Sequence, residues 1–401
     1  ADPLATRVDI GDVVLATGRH VRSGRGDIRV AAGRDIRLAG PGSVIYSAGA
    51  PADALAGFRP PELRQRAAFS HTGGDVALHA GRDVVGAMRP LVAGFGNEQL
   101  FNDWLFRQGR LDPNDTTRYL QTVGGNPAWW VRFDQFQQGV GALGGGDVTV
   151  SAGRDVQTLT AVAPTQARMA SAVPDPAALQ VSGGGDVRVE AGRDVRGGQT
   201  YSGRGEVRIV AGGLIGGGGV LQGQPIHPIV GLGEASATLR AAGDVEVLAI
   251  VNPTLLPQST GAGFNLGPGG PPPSVYSTYG RGSAAALTSL GGHAVLHGPA
   301  GGSPLRPAAS LSSLSLVMRS PEATRLGAGA LGTQLPPTLE MTAFGGDVWL
   351  GHRGTSLTTM PSAQGRLTLL AGESLRVNAT LLAQSDVDPA QVASVLRPAL
   401  S

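Results

Sequence analysis

Gly146-Asp147-Val148-Thr149-Val150-Ser151-Ala152-Gly153-Arg154-Asp155-Val156 is the stretch that decides how this 401-residue chain is organised. Val148 and Val150 alternate with Thr149 and Ser151, the period-two pattern of a half-buried strand. Gly146 and Gly153 supply positive φ for corners on either side, and Val156 opens a second inward-facing run. The phrase therefore reads as strand, corner, strand. Near-copies start at Gly11, Gly26, Gly74 and Gly185, and looser ones at Gly205, Ala237, Gly346 and Gly365. A unit this short cannot bury a core alone, so copies must stack on one another. Spacings of fifteen to twenty residues (Gly11 to Gly26, Gly185 to Gly205, Gly346 to Gly365) suit the coils of a parallel β-helix. An α-solenoid would need about 30 or more residues per repeat.

The composition narrows the function classes. Gly (63) and Pro (28) approach the range of disordered chains, but the Val/Ile/Leu alternation argues for order. Basic and acidic residues nearly balance, 32 against 30, and every basic residue is Arg. The arginines are spread one per repeat, not gathered with aromatics, so nucleic acid is not an expected partner. There is no cysteine, hence no disulfide or thiolate metal site. Neither a leader-like segment in residues 1–25 nor an apolar run long enough to span a membrane is present, and the chain reads as an internal fragment of something longer.

The Arg-Asp pairs Arg34-Asp35, Arg82-Asp83, Arg154-Asp155 and Arg193-Asp194 would form a ladder along stacked coils. Such a ladder could grip acidic glycans, or simply satisfy a polar corner and set register. The structural role is preferred, and departures at His20, Gly213 and Gly243 imply that no single rung is essential. Long insertions at 41–72, 86–144, 157–183, 216–234, 251–290 and 299–345 are expected as loops on the solenoid. Segment 86–144 holds nine of the eighteen aromatics. Trp104, Tyr119, Trp129, Trp130 and Phe133 are candidate ligand-binding residues there, although rings packed as a flank cover are the preferred reading. Residues 101–106 read as a short helix, with Asn97 or Asn102 as its N-cap. Residues 251–290 read as an extended Pro/Gly-rich loop, and 386–401 as a helical cap on a β-helix covering 1–385.

Chemistry is sparse. The seven histidines form no His-Glu-x-x-His, and His293 and His297 on one strand would lie about 13 Å apart, too far for one ion. No metal or cofactor is expected, nor any catalytic constellation. Asp103, Asp112, Asp115 and Asp134 are the one carboxylate group outside the repeats. Arg25-Gly26-Asp27 spells an integrin-read tripeptide, but the repeat itself accounts for Gly26-Asp27.

With its preceding glycine, the phrase from Gly145 to Val156 resembles the repeats of the filamentous haemagglutinin family of bacterial exoproteins. The resemblance implies a right-handed parallel β-helix carried through the outer membrane by a two-partner secretion transporter. It implies a secreted or cell-surface adhesin that meets host or neighbour-cell glycans or proteins through loops on the shaft. The family's amino-terminal secretion motif Asn-Pro-Asn-Gly is not found; Asn252-Pro253-Thr254 is not it. A β-helical polysaccharide lyase or hydrolase, and a bare shaft presenting a toxin, are the rival expectations.

Overall fold

A computed structural model describes residues 11–61, 66–88, 99–221, 224–256, 274–298, 334–351 and 356–400. About 50% of the chain is strand and 4% helix, which makes the fold almost all β. Two large sheets dominate. A ten-stranded sheet takes one short parallel strand from each repeat, from Val13–Leu15 through Val156–Gln157 to Leu375–Val377. A fourteen-stranded sheet, nearly closed on itself, takes the longer strands, such as Ile28–Ala32, Val148–Ala152 and Arg366–Ala371. All its pairings are parallel.

The register shows why the repeat is spelled as it is. Val148 pairs with Val76 and Val187, Val187 with Val207, and Val207 with Ala237, so one repeat position stacks on itself. The second valine does the same: Val150 lies between Leu78 and Val189. These columns face inward and merge into one continuous apolar core. Thr149, between the two valines, is exposed. Each repeat thus extends the same sheets as its neighbours and shares their core, which is how an eleven-residue unit finds one.

The two corner glycines work differently. Gly146 has φ +108°, as expected of a turn that only glycine adopts readily. Gly153 is not in that region, which corrects its reading as a positive-φ corner. A Cβ there would lie 2.2 Å from the carbonyl oxygen of Gly81 one layer away, so glycine is needed for close approach of the layers.

The described part of the aromatic insertion is built of short strands and turns. Its expected helix is a single 3-10 turn, Phe101–Asp103, followed by strand Leu105–Gln108. Leu100, not Asn102, is the N-cap, and its N–H donates to the Asp103 carboxylate at 3.1 Å; Asn97 lies outside the described residues. Strands 105–108, 128–131, 165–169 and 179–183 form an antiparallel sheet, so the insertions 86–144 and 157–183 build one flank together. Much of the Pro/Gly-rich segment, 257–273, lies outside the described residues. Its described ends pack on the flank through Leu256 and Tyr276, and Ser274–Val275 is an extended strand. The expected C-terminal helical cap is likewise one 3-10 turn, Pro389–Gln391. Beyond it the chain lies on the flank, where the Tyr119 hydroxyl donates to the Val395 and Leu396 carbonyls and 399–400 pair with 274–275. Leu375 and Val377, on the last strand of the ten-stranded sheet, remain exposed.

Candidate functional site

The aspartates of the repeats form two ladders, one of them at the Arg-Asp corners. In the first, each aspartate accepts the backbone N–H of the matching residue in the next layer: Asp83 N–H to Asp35, Asp155 N–H to Asp83 and Asp194 N–H to Asp155, at 3.2 to 3.3 Å. Each arginine reaches back to the same carboxylate. Arg34 Nε donates to Asp12 at 3.1 Å, Arg82 to Asp35 at 2.7 Å, Arg154 to Asp83 at 2.8 Å and Arg193 to Asp155 at 2.7 Å. Asp35, Asp83 and Asp155 are buried and Asp12 is exposed, while the guanidinium groups are half exposed. Hydrogen bonds from arginine hold the Asp12, Asp35 and Asp155 carboxyls below their ordinary range. Where the pattern lapses, the corner bond persists: Leu214 N–H donates to Asp194, and His293 N–H to Asp244. His293 even replaces the carboxylate, its Nδ1 accepting Asp347 N–H at 3.0 Å. The second ladder joins Asp27, Asp75, Asp147 and Asp186 through backbone N–H bonds of 2.8 to 3.0 Å. Asp27 of the Arg-Gly-Asp tripeptide is therefore a rung.

Four of the five aromatic candidates are packed inside the flank. Trp104, Tyr119 and Trp130 are fully buried, and Trp129 is 3% exposed. Adjacent residues on a strand face opposite ways, so Trp129 packs on Tyr276 while Trp130 stacks on Phe106. These rings do not form a surface platform; a sheet of large side chains buries them because that removes the most apolar area from water.

Phe133 differs. Half buried, it stacks on Tyr46 with centroids 6.0 Å apart, and the Arg22 guanidinium lies 5.9 Å from the Tyr46 ring centre. Together they border an open groove of about 510 Å³ that also includes His20, Asp134 and Gln137. Bonds from Arg132 lower the Asp134 pKa, so its carboxylate is an acceptor at neutral pH. An aromatic face beside a cation, a carboxylate and an amide is the inventory that recognises a polyhydroxylated ring. Trp129 borders a second groove, of about 270 Å³, with Arg204, Glu234 and Tyr279. Tyr46 and Arg22 were missed in the sequence because they belong to other layers than Phe133.

The four non-repeat carboxylates do not converge. Asp103 binds its own turn, Asp112 and Asp115 hold the turn of the 111–119 hairpin, and Asp134 pairs with Arg132 and Arg66. A different trio does meet: His227, Glu246 and His297 offer ligand atoms within 4.8 Å of one another, the one such group among the described residues. No sequence motif marks it, since its members come from three separate layers. No helix among the described residues is long and apolar enough to cross a membrane. Comparison with family models, with curated proteins and with solved structures finds no match to this chain.

Proposed function

We propose that the chain is a shaft segment of a filamentous haemagglutinin-like surface adhesin, with its stacked layers wound as a right-handed parallel β-helix. The observation that carries this reading is the in-register stacking of the repeat upon itself, held by carboxylate-to-backbone bonds at each corner. A stack of that kind is a spacer, stiff along its axis and tolerant of loops on its flanks. The groove at Tyr46 and Phe133 is the surface that meets a glycan of a host or neighbouring cell. No catalytic role is assigned, and secretion would rest on an outer-membrane two-partner transporter.

Retention of the purified chain on immobilised polysaccharides and on cells tests the adhesive reading. Phe133→Ala is expected to weaken retention by roughly tenfold, the loss of one stacked ring, with the strand circular dichroism unchanged. Equal retention by the variant would exclude this groove. Release of new reducing or unsaturated ends would replace the reading with a polysaccharide-cleaving enzyme.

A further inference from the structure

We infer that His227, Glu246 and His297 form a binding site for one divalent transition-metal ion of the zinc class, clamping three layers at one corner. Leu248 N–H donates to the Pro228 carbonyl at 2.8 Å, His297 N–H to Val247 at 3.0 Å and Gly298 N–H to Leu248 at 2.8 Å. Residues 227–228, 246–248 and 297–298 are therefore matching corners of consecutive layers. Stacking brings together side chains that the sequence separates.

The geometry is close to that of a ligand set. His297 Nε2 lies 2.8 Å from Glu246 Oε1, and His227 Nδ1 lies 3.4 Å from Oε2. The two imidazoles are 4.8 Å apart, centre to centre. Ligand atoms around a tetrahedral ion with bonds of about 2.0–2.2 Å sit roughly 3.3–3.6 Å from each other, so small side-chain rotations close the cage. His297 is fully buried and His227 nearly so, while Glu246 keeps 16% of its side chain exposed, which leaves a route for the ion and a water. Gly216, in the layer before Glu246, adds no side chain beside that carboxylate; a Cβ there would stand 3.8 Å from Oε2. Two imidazoles and one carboxylate suit zinc-class ions, whereas calcium and magnesium demand more oxygen ligands and Cu(I) prefers sulfur.

The test uses the whole chain, stripped with chelator and titrated with Zn²⁺ alone by calorimetry, alongside Glu246→Gln and His227→Gln. One ion per chain in the wild type, with affinity lowered at least about tenfold in both folded variants, is the expected result. No heat of binding at micromolar Zn²⁺, or equal affinity in the variants, would overturn the site. Should the variants fail to fold, X-ray absorption of the zinc-loaded wild type decides. Scattering from two imidazoles at about 2.0–2.1 Å supports the trio, and an oxygen-only shell refutes it.

Discussion

Asp155 shows how much one corner residue does. It is buried, accepts the backbone N–H of Asp194, and receives the half-exposed Arg193. The two partners are unequal. Arg193 keeps water on one side, so its ion pair is screened, whereas the Asp194 N–H has no solvent to turn to. Asp155→Ala should destabilise the fold by roughly 1–3 kcal/mol. Asp155→Asn, which keeps an oxygen acceptor, should cost distinctly less, and Arg193→Ala less again. Chemical denaturation midpoints of the three variants check that order, and Arg193→Ala as the most damaging would refute it. Gly153→Ala addresses the other half of the corner. Its new Cβ would sit 2.2 Å from the Gly81 oxygen, so the layers must part locally. A loss of about 1–3 kcal/mol is expected by the same measurement.

The ladder as an element carries a pH signature. Asp12, Asp35, Asp155 and Asp347 all have carboxyls lowered by bonds from arginine. In acid the unfolded chain binds more protons at these sites than the folded one, so stability rises with pH there. Their contribution is complete above the unfolded value of about 3.9 and disappears as pH falls through the lower folded values. Denaturant midpoints should therefore be flat from about pH 5 to neutrality and drop steeply below about pH 4. Strand positions in the repeats were legible in advance, because alternation and glycine act over a few residues. Segment 101–106 was not: it becomes a 3-10 turn and a strand because Leu105–Gln108 pairs with Ala128–Val131, a partner no local pattern announces. The flank rings were read better: four of the five candidate residues are buried, in keeping with the preferred reading of a packed cover, and Phe133 alone is half buried.

The whole stack is expected to unfold unevenly. Central strands such as Val187–Ala191 have partners on both sides, Val148–Ala152 and part of Gln199–Ala211. Val13–Leu15 and Leu375–Val377 each end the ten-stranded sheet with one neighbour, and the latter strand is exposed throughout. Hydrogen exchange should be slowest at 148–152, 187–191, 207–211 and 237–241, and fastest at the two end strands. Uniform protection along the chain would show that the layers unfold as one unit.

Local chemistry wrote the repeat, its alternation and its corners, and these are properties of a few consecutive residues: side-chain direction along a strand, the freedom of glycine, the acceptor on an aspartate. Which layers touch was decided by folding. Insertions of unequal length make sequence separation a poor guide to proximity, while parallel stacking sets neighbouring layers about 4.8 Å apart. That spacing brings Asp83 beneath Asp155, Tyr46 beside Phe133, and His227 and His297 to the same glutamate. None of those meetings is written in any single stretch of the chain.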